Sequence, residues 1–154
     1  MRIPHAALAS SLDPTSYSLW IGDHAVLLGS DPREATVRSP HAPRFEGDPH
    51  PRQNHHQSTR SDWHDFCRST HLHDLLFAPG SGLMAEHPGT ARLTRDHAGA
   101  VHDALVRFIA GHRRADPSFT SGRVEDAHFA RLLWLDWWFY RAPHRWDEPA
   151  IHNR

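Results

Sequence analysis

The apolar positions of the chain are most concentrated in residues 129–140, where Asp136 is the one polar residue from position 132 onward. At 100° per residue, the large apolar side chains of this segment fall on every side of a helix, and such a helix must be covered on every side. About a dozen residues that include a carboxylate are too few for a membrane span, which needs about 20. The pattern therefore predicts a helix over about 122–141 at the centre of the domain.

Two further helices are predicted from apolar spacing upstream of this segment. Ser61 can cap the first helix, in which Trp63, Phe66, Cys67 and Thr70 follow at helical intervals. The second helix is predicted to begin at Thr94 and to end before Gly111, a residue type that often terminates helices. Its apolar arc consists of Ala98, Val101, Ala104, Leu105, Phe108 and Ile109.

Short strands are predicted near the N-terminus, over residues 17–21 and 24–28, with Gly22 and Asp23 as a two-residue turn between them. A third strand is predicted over residues 35–37, because an isolated hairpin is only marginally stable. The fold class is therefore α+β. It would consist of an N-terminal β-hairpin or small antiparallel sheet packed on about three helices, with the aromatic C-terminal helix (about 122–141) central.

A polar segment rich in proline and histidine covers about residues 31–60. It contains few apolar side chains, so burial would not offset the entropy of ordering most of it. The segment is predicted to be a long loop within one domain that comprises residues 1–154, and loops of this length are either functional or loosely packed.

The composition limits the classes of partner and the cellular compartment. A formal net charge of −1 provides no field that would attract nucleic acid, and the arginines are scattered. All 17 basic residues are arginine and 16 residues are histidine, which is typical of a high-GC bacterium or its phage. The single cysteine excludes an internal disulfide and favours the cytoplasm.

One candidate for chemistry is a cluster of metal-binding residue types between positions 62 and 74. If the first helix continued far enough, His64, Cys67 and His71 would share one face, and His73 could be a fourth ligand. Imidazole and thiolate are ligands that zinc prefers. The spacing matches no standard zinc motif, and a chain with 16 histidines will contain chance clusters. The alternatives are therefore a zinc site and a set of structural or surface histidines.

The second candidate is Asp136, whose helical neighbours are Leu132, Phe139 and Tyr140. A carboxylate in apolar surroundings needs a hydrogen-bond or charge partner, or it protonates. An arginine of the 123, 131 and 141 set, a histidine, or a tryptophan N–H could provide this partner. We expect Asp136 either to form a structural pair or to act as a tuned acid or base.

Two classes of function compete, and no motif of a known enzyme class decides between them. The first is a binding module that contacts another protein or a second copy of itself, as immunity proteins, inhibitors and antitoxins do. Tryptophan and arginine dominate binding hot spots, which makes the aromatic helix the candidate surface. Its candidate interaction residues are Trp134, Trp137 and Trp138. The alternative is a zinc-dependent enzyme, a hydrolase, that uses the cluster from His64 to His73.

Overall fold

The computed structural model describes residues 16–29, 32–44, 48–116 and 126–154. The strands are β1 (Ser16–Asp23), β2 (His55–Thr59), β3 (Gly89–Arg92) and β4 (Pro149–Asn153). The helices are α1 (His24–Gly29), α2 (Arg60–Thr70), α3 (His73–Phe77), α4 (Arg95–Ala115) and α5 (Ala127–Arg145), with a 3₁₀ helix at Pro32–Ala35. No helix in these ranges has the length and hydropathy that a membrane span requires.

The strands form one antiparallel sheet in the order β2-β1-β4-β3, so the predicted α+β class is confirmed. Alternate residues of β1, including Leu19 and Ile21, face the main core, into which α2, α4 and α5 also pack. Trp20 points to the opposite face of the sheet and forms a smaller core with Leu27 of α1, Ala35 and Ala150. The sheet is therefore covered on both faces in this region.

The predicted second strand over residues 24–28 is wrong, because those residues form α1. β1 continues through Gly22 to Asp23, and the Asp23 side chain then accepts a hydrogen bond from the Ala25 N–H at 3.2 Å. That bond satisfies an N–H group at the start of a helix, so Asp23 favours a helix where a turn was expected. A strand over residues 35–37 is also wrong, because the 3₁₀ helix ends at Ala35 and no strand follows directly.

The strands that pair with β1 lie in polar stretches of the sequence. β2 lies within the predicted 31–60 loop, and β4 lies after the aromatic helix. Within the described part of that loop, Asn54 is fully buried and its side-chain amide bonds to three backbone groups. The segment before β2 is thereby attached to the sheet through polar contacts.

The two long helices largely follow the sequence prediction, although their ends differ. Thr94 caps α4 as expected, but the helix continues through Gly111 to Ala115. α5 begins after Asp126, whose side chain accepts hydrogen bonds from two N–H groups of the first turn, and it continues past position 141 to Arg145. Pro143 lies in the last turn, where its missing N–H removes one hydrogen bond without ending the helix. Residues 122–125 of the predicted helix lie outside the described ranges.

Candidate functional site

The three candidate interaction tryptophans lie in different environments along α5. Trp134 and Trp138 are at most 1% exposed, because they face the sheet and the neighbouring helices. Trp134 also donates a hydrogen bond from Nε1 to the carbonyl of Gln53 at 2.9 Å. Trp137 is half-buried, and the guanidinium of Arg141 lies 3.9 Å from the centroid of its ring. Of the three, Trp137 alone reaches the surface enough to contact a partner.

Asp136 lies at the interface between α5 and α4. Its carboxylate oxygen Oδ1 is 3.0 Å from Nδ1 of His102, and its side chain is 23% exposed. The partner is thus a histidine of another helix, one of the expected partner types. The carboxylate is less buried than its apolar neighbours in the sequence suggest, since it lies at the edge of the helix pair. This pair joins α4 and α5 in antiparallel register.

The four candidate zinc ligands do not share one helical face. α2 ends at Thr70, and His71 adopts a left-handed conformation with φ 59° that turns the chain. His73 therefore begins α3, and its ring centroid is 6.1 Å from that of His64. Among the residues described, no group of three or more His, Cys, Asp or Glu side chains is arranged to hold a metal ion. A bound zinc ion remains a prediction from the sequence.

Cys67 lies inside the core with no exposed surface. Burial raises the pKa of its thiol to about 12, although Arg68 acts in the opposite direction. The thiol therefore stays protonated at neutral pH, whereas a nucleophile or a zinc ligand must be a thiolate.

We expect a thiol reagent such as Ellman's reagent to label native protein at least about 100-fold more slowly than urea-unfolded protein. The single cysteine makes the absorbance signal unambiguous. Equal rates in the native and unfolded states would show that the buried face of α2 opens readily.

Two polar clusters lie beside the sheet, one around the buried Tyr17 and one around the half-exposed Asp62. The Tyr17 hydroxyl donates a hydrogen bond to Oδ1 of Asn153 at 2.8 Å. Burial raises the pKa of Tyr17 to about 12. Ser58 donates to Asp62 at 2.8 Å, and this bond is the main reason why the pKa of the Asp62 carboxyl is lowered. At neutral pH a tyrosine with a raised pKa is a poor proton donor and a carboxylate with a lowered pKa is a poor proton acceptor, so these clusters suit a structural role.

An open groove lies between the N-terminal half of α4 and the C-terminal half of α5, with a volume of about 460 Å³. We call it the α4–α5 groove. Its lining residues are Arg95, Ala98, Gly99, His102, Tyr140, Pro143 and His144. A methyl group added at Gly99 would meet no side chain within 4 Å, so the groove is not filled at this position.

The wall of the α4–α5 groove carries the most exposed aromatic ring of α5. Tyr140 is 64% exposed, and the guanidinium of Arg141 lies 5.8 Å from its ring centroid as well as against Trp137. Val106, which is 52% exposed, lies one turn beyond His102 on α4. The sequence pattern does not distinguish Tyr140, because an all-round apolar helix does not indicate which side faces solvent.

Among the described residues, the groove is lined by basic side chains and by no acidic ones. Its lining contains one arginine and two histidines but no carboxylate, and Arg141 lies beside it. Asp136 at its inner edge is already paired with His102. Such a surface can receive a large apolar side chain flanked by carboxylates. Comparison with protein-family models, with curated proteins and with solved structures finds no match to this chain.

Proposed function

We propose that this protein acts by binding another protein through the α4–α5 groove, as an immunity, inhibitor or antitoxin-like module. The main support is the exposed Tyr140 ring at the wall of an open groove, beside the stacked pair of Arg141 and Trp137. Tyrosine, tryptophan and arginine are the residue types that dominate binding hot spots. The lysine-free composition and the single cysteine support a high-GC bacterial or phage origin and a cytoplasmic location.

The partner we propose is a protein segment with an apolar side chain next to acidic residues. Arg95 and His144 would face its carboxylates, and the small side chains of Ala98 and Gly99 leave room for its apolar side chain. A second copy of this chain fits less well. A symmetric contact places the same patch on both subunits, and this one would set a basic surface against an identical basic surface.

Selection of a displayed random-peptide library against the purified protein tests this proposal directly. We expect enrichment of peptides that combine aromatic or leucine residues with aspartate or glutamate, and binding that weakens as salt is raised. Enrichment of basic peptides, or of none, would contradict the proposed groove chemistry. Light scattering of the same sample would detect a dimer, which would favour a second copy as the occupant.

Tyr140→Ala should weaken binding of the selected peptide by about 30-fold or more, since loss of a hot-spot side chain costs about 2 kcal/mol or more. Fluorescence polarisation of the labelled peptide measures the change. The matched control is Leu28→Ala, because Leu28 is 62% exposed but lies on α1 on the other side of the sheet. Equal affinity of Tyr140→Ala and wild type would place the binding surface elsewhere.

A further inference from the structure

A second cavity, of about 480 Å³, lies between the end of α2 and the C-terminal half of α4. Its volume is within the range of about 300–1,000 Å³ that is typical of small-molecule sites. The polar side chains that line it include Ser69, His71, Arg107, His112 and Arg114. It lies at the opposite end of α4 from the α4–α5 groove, so the two sites can be tested separately.

Among the described residues that line this cavity, every ionisable side chain is basic. Within the described ranges, no carboxylate oxygen lies within ion-pairing distance of Arg107 or Arg114. Asp126 is one described acid in contact with the lining, 3.6 Å from Nε2 of His112. Its other carboxylate oxygen accepts hydrogen bonds from the first turn of α5, so Asp126 already has partners. The two arginines are thus available to an anion.

The position of Arg107 argues against a purely structural reason for this charge. Arg113 and Arg114 lie in the last turn of α4, where positive charge stabilises the negative end of the helix dipole. Arg107 lies two turns before the end of α4, beyond the reach of that effect. Arg107 therefore places a second guanidinium on the cavity without a role in capping the helix.

Gly111 keeps the space between the two arginines open. Positions 107, 111 and 114 lie on one face of α4, and a Cβ added at Gly111 would meet only Nη2 of Arg114, at 3.8 Å. The guanidinium of Arg114 therefore extends across the glycine. Arginine pairs with phosphate through parallel hydrogen bonds, and two arginines match the double negative charge of a phosphate monoester.

Phe108 provides an apolar wall beside the arginines. Its ring stacks on His112 at 4.2 Å and on Phe129 at 5.6 Å, which anchors the wall to the core. The His112 ring is held in addition by a contact of 3.1 Å between its Nδ1 and the Phe108 carbonyl. The cavity is larger than a phosphate group, so an organic substituent of the ligand can pack on this wall.

We propose that this cavity binds a small organic phosphate monoester, with the phosphate between Arg107 and Arg114 and the organic part against Phe108. Calorimetric titration with phenyl phosphate, inorganic phosphate and phenol tests the assignment on the full chain. Phenyl phosphate should bind more tightly than inorganic phosphate, and phenol should bind least. If phenyl phosphate does not bind at concentrations up to about 10 mM, the proposal is overturned. A Kd above that concentration is too weak for a specific site.

Arg114→Gln should weaken phenyl phosphate binding by about tenfold or more, because a hydrogen bond between charged groups is lost. Arg113→Gln is the matched control, since it removes the same charge from the neighbouring exposed position outside the cavity. It should change the affinity by no more than about twofold. Equal losses in the two variants would show general attraction to a basic helix end and would overturn the site.

Gly111→Leu provides a second test that leaves the charge unchanged. The new side chain would occupy the space between Arg107 and Arg114 and should abolish binding. Replacing a helical glycine should also keep or raise the melting temperature. Undiminished binding by a folded Gly111→Leu protein would contradict the placement of the phosphate.

Discussion

Replacing Asn54 with alanine is expected to lower the free energy of unfolding by about 3–5 kcal/mol. The Asn54 amide group accepts a hydrogen bond from the Val37 N–H and donates to the carbonyls of Ile21 and Ala35, each at 2.8 Å. Removal of the side chain leaves three backbone groups without that partner, two of them in buried bonds and one in a part-buried bond, and each unsatisfied buried group costs about 1–3 kcal/mol. Urea unfolding followed by tryptophan fluorescence would measure the loss.

Gln57→Ala is the matched control for Asn54→Ala. Gln57 lies three residues further along, within β2, but its side chain is exposed and bonds to His50 and Ser16 at the surface. We expect a change of no more than about 0.5 kcal/mol, as for most surface substitutions. A loss of less than about 1 kcal/mol for Asn54→Ala would show that the segment before β2 contributes little to stability.

The protein is expected to lose stability as the pH falls below about 6.5, and His56 should account for a large share of the loss. His56 is 1% exposed between the rings of Trp63 and Trp134. Burial, and next the charge of Arg131, lower its pKa to about 3. In the unfolded chain His56 binds a proton near pH 6.5, and in the folded chain it does not. The contribution of His56 to stability is therefore full above pH 6.5 and declines toward pH 3.

At pH 4.5 this one group should have removed about 3 kcal/mol of the stability present at neutral pH. His56→Phe retains an aromatic ring between the two tryptophans and cannot titrate, so the stability of this variant should depend less steeply on pH over that range. His41→Phe, a change at an exposed position, controls for the loss of one histidine. The expectation is wrong if wild type and His56→Phe lose stability in parallel between pH 7 and pH 4.5.

The long helices could be predicted from the sequence because each carries many apolar residues at a regular interval. α4 starts directly after its capping residue Thr94, and α5 starts directly after Asp126. Most of the predicted apolar arc of α4 is at least half-buried. Their ends were less predictable. Gly111 is a residue that often stops helices, yet in α4 it lies inside the helix and leaves space for Arg114.

The sheet was less predictable because its partner strands bury polar residues. In β2 and β4, His56 and Asn153 occupy core positions opposite Leu19 of β1. A polar residue of this kind is buried only because distant parts of the chain supply its contacts, which spacing along the sequence does not reveal. α1 is short enough that its apolar residues fit a strand or a helix equally well.

The candidate sites were hard to predict for the same reason, because they too depend on contacts between distant parts of the chain. The histidine partner of Asp136 belongs to a residue type expected from its sequence neighbours, but its position on α4 depends on how two helices pack. The zinc hypothesis assumed that the first helix would continue to His71, and the left-handed conformation of that residue ends it. Tyr140, Arg107 and Arg114 could be selected only after the groove and the cavity had been located.

The central pair of the sheet, β1 and β4, has a consequence for the speed of folding. Ile21 pairs with Ile151, so the innermost strand contact closes a loop that contains most of the chain. Such distant pairing has a high entropic cost and slows folding, whereas the contact between α4 and α5 is local and can form early. Among the described strands, β4 is the one neighbour of β3, so β3 can join the sheet only after this late step. Until the sheet forms, the apolar helix faces that pack on it remain exposed and can contact other chains. Folding at high protein concentration therefore competes with aggregation.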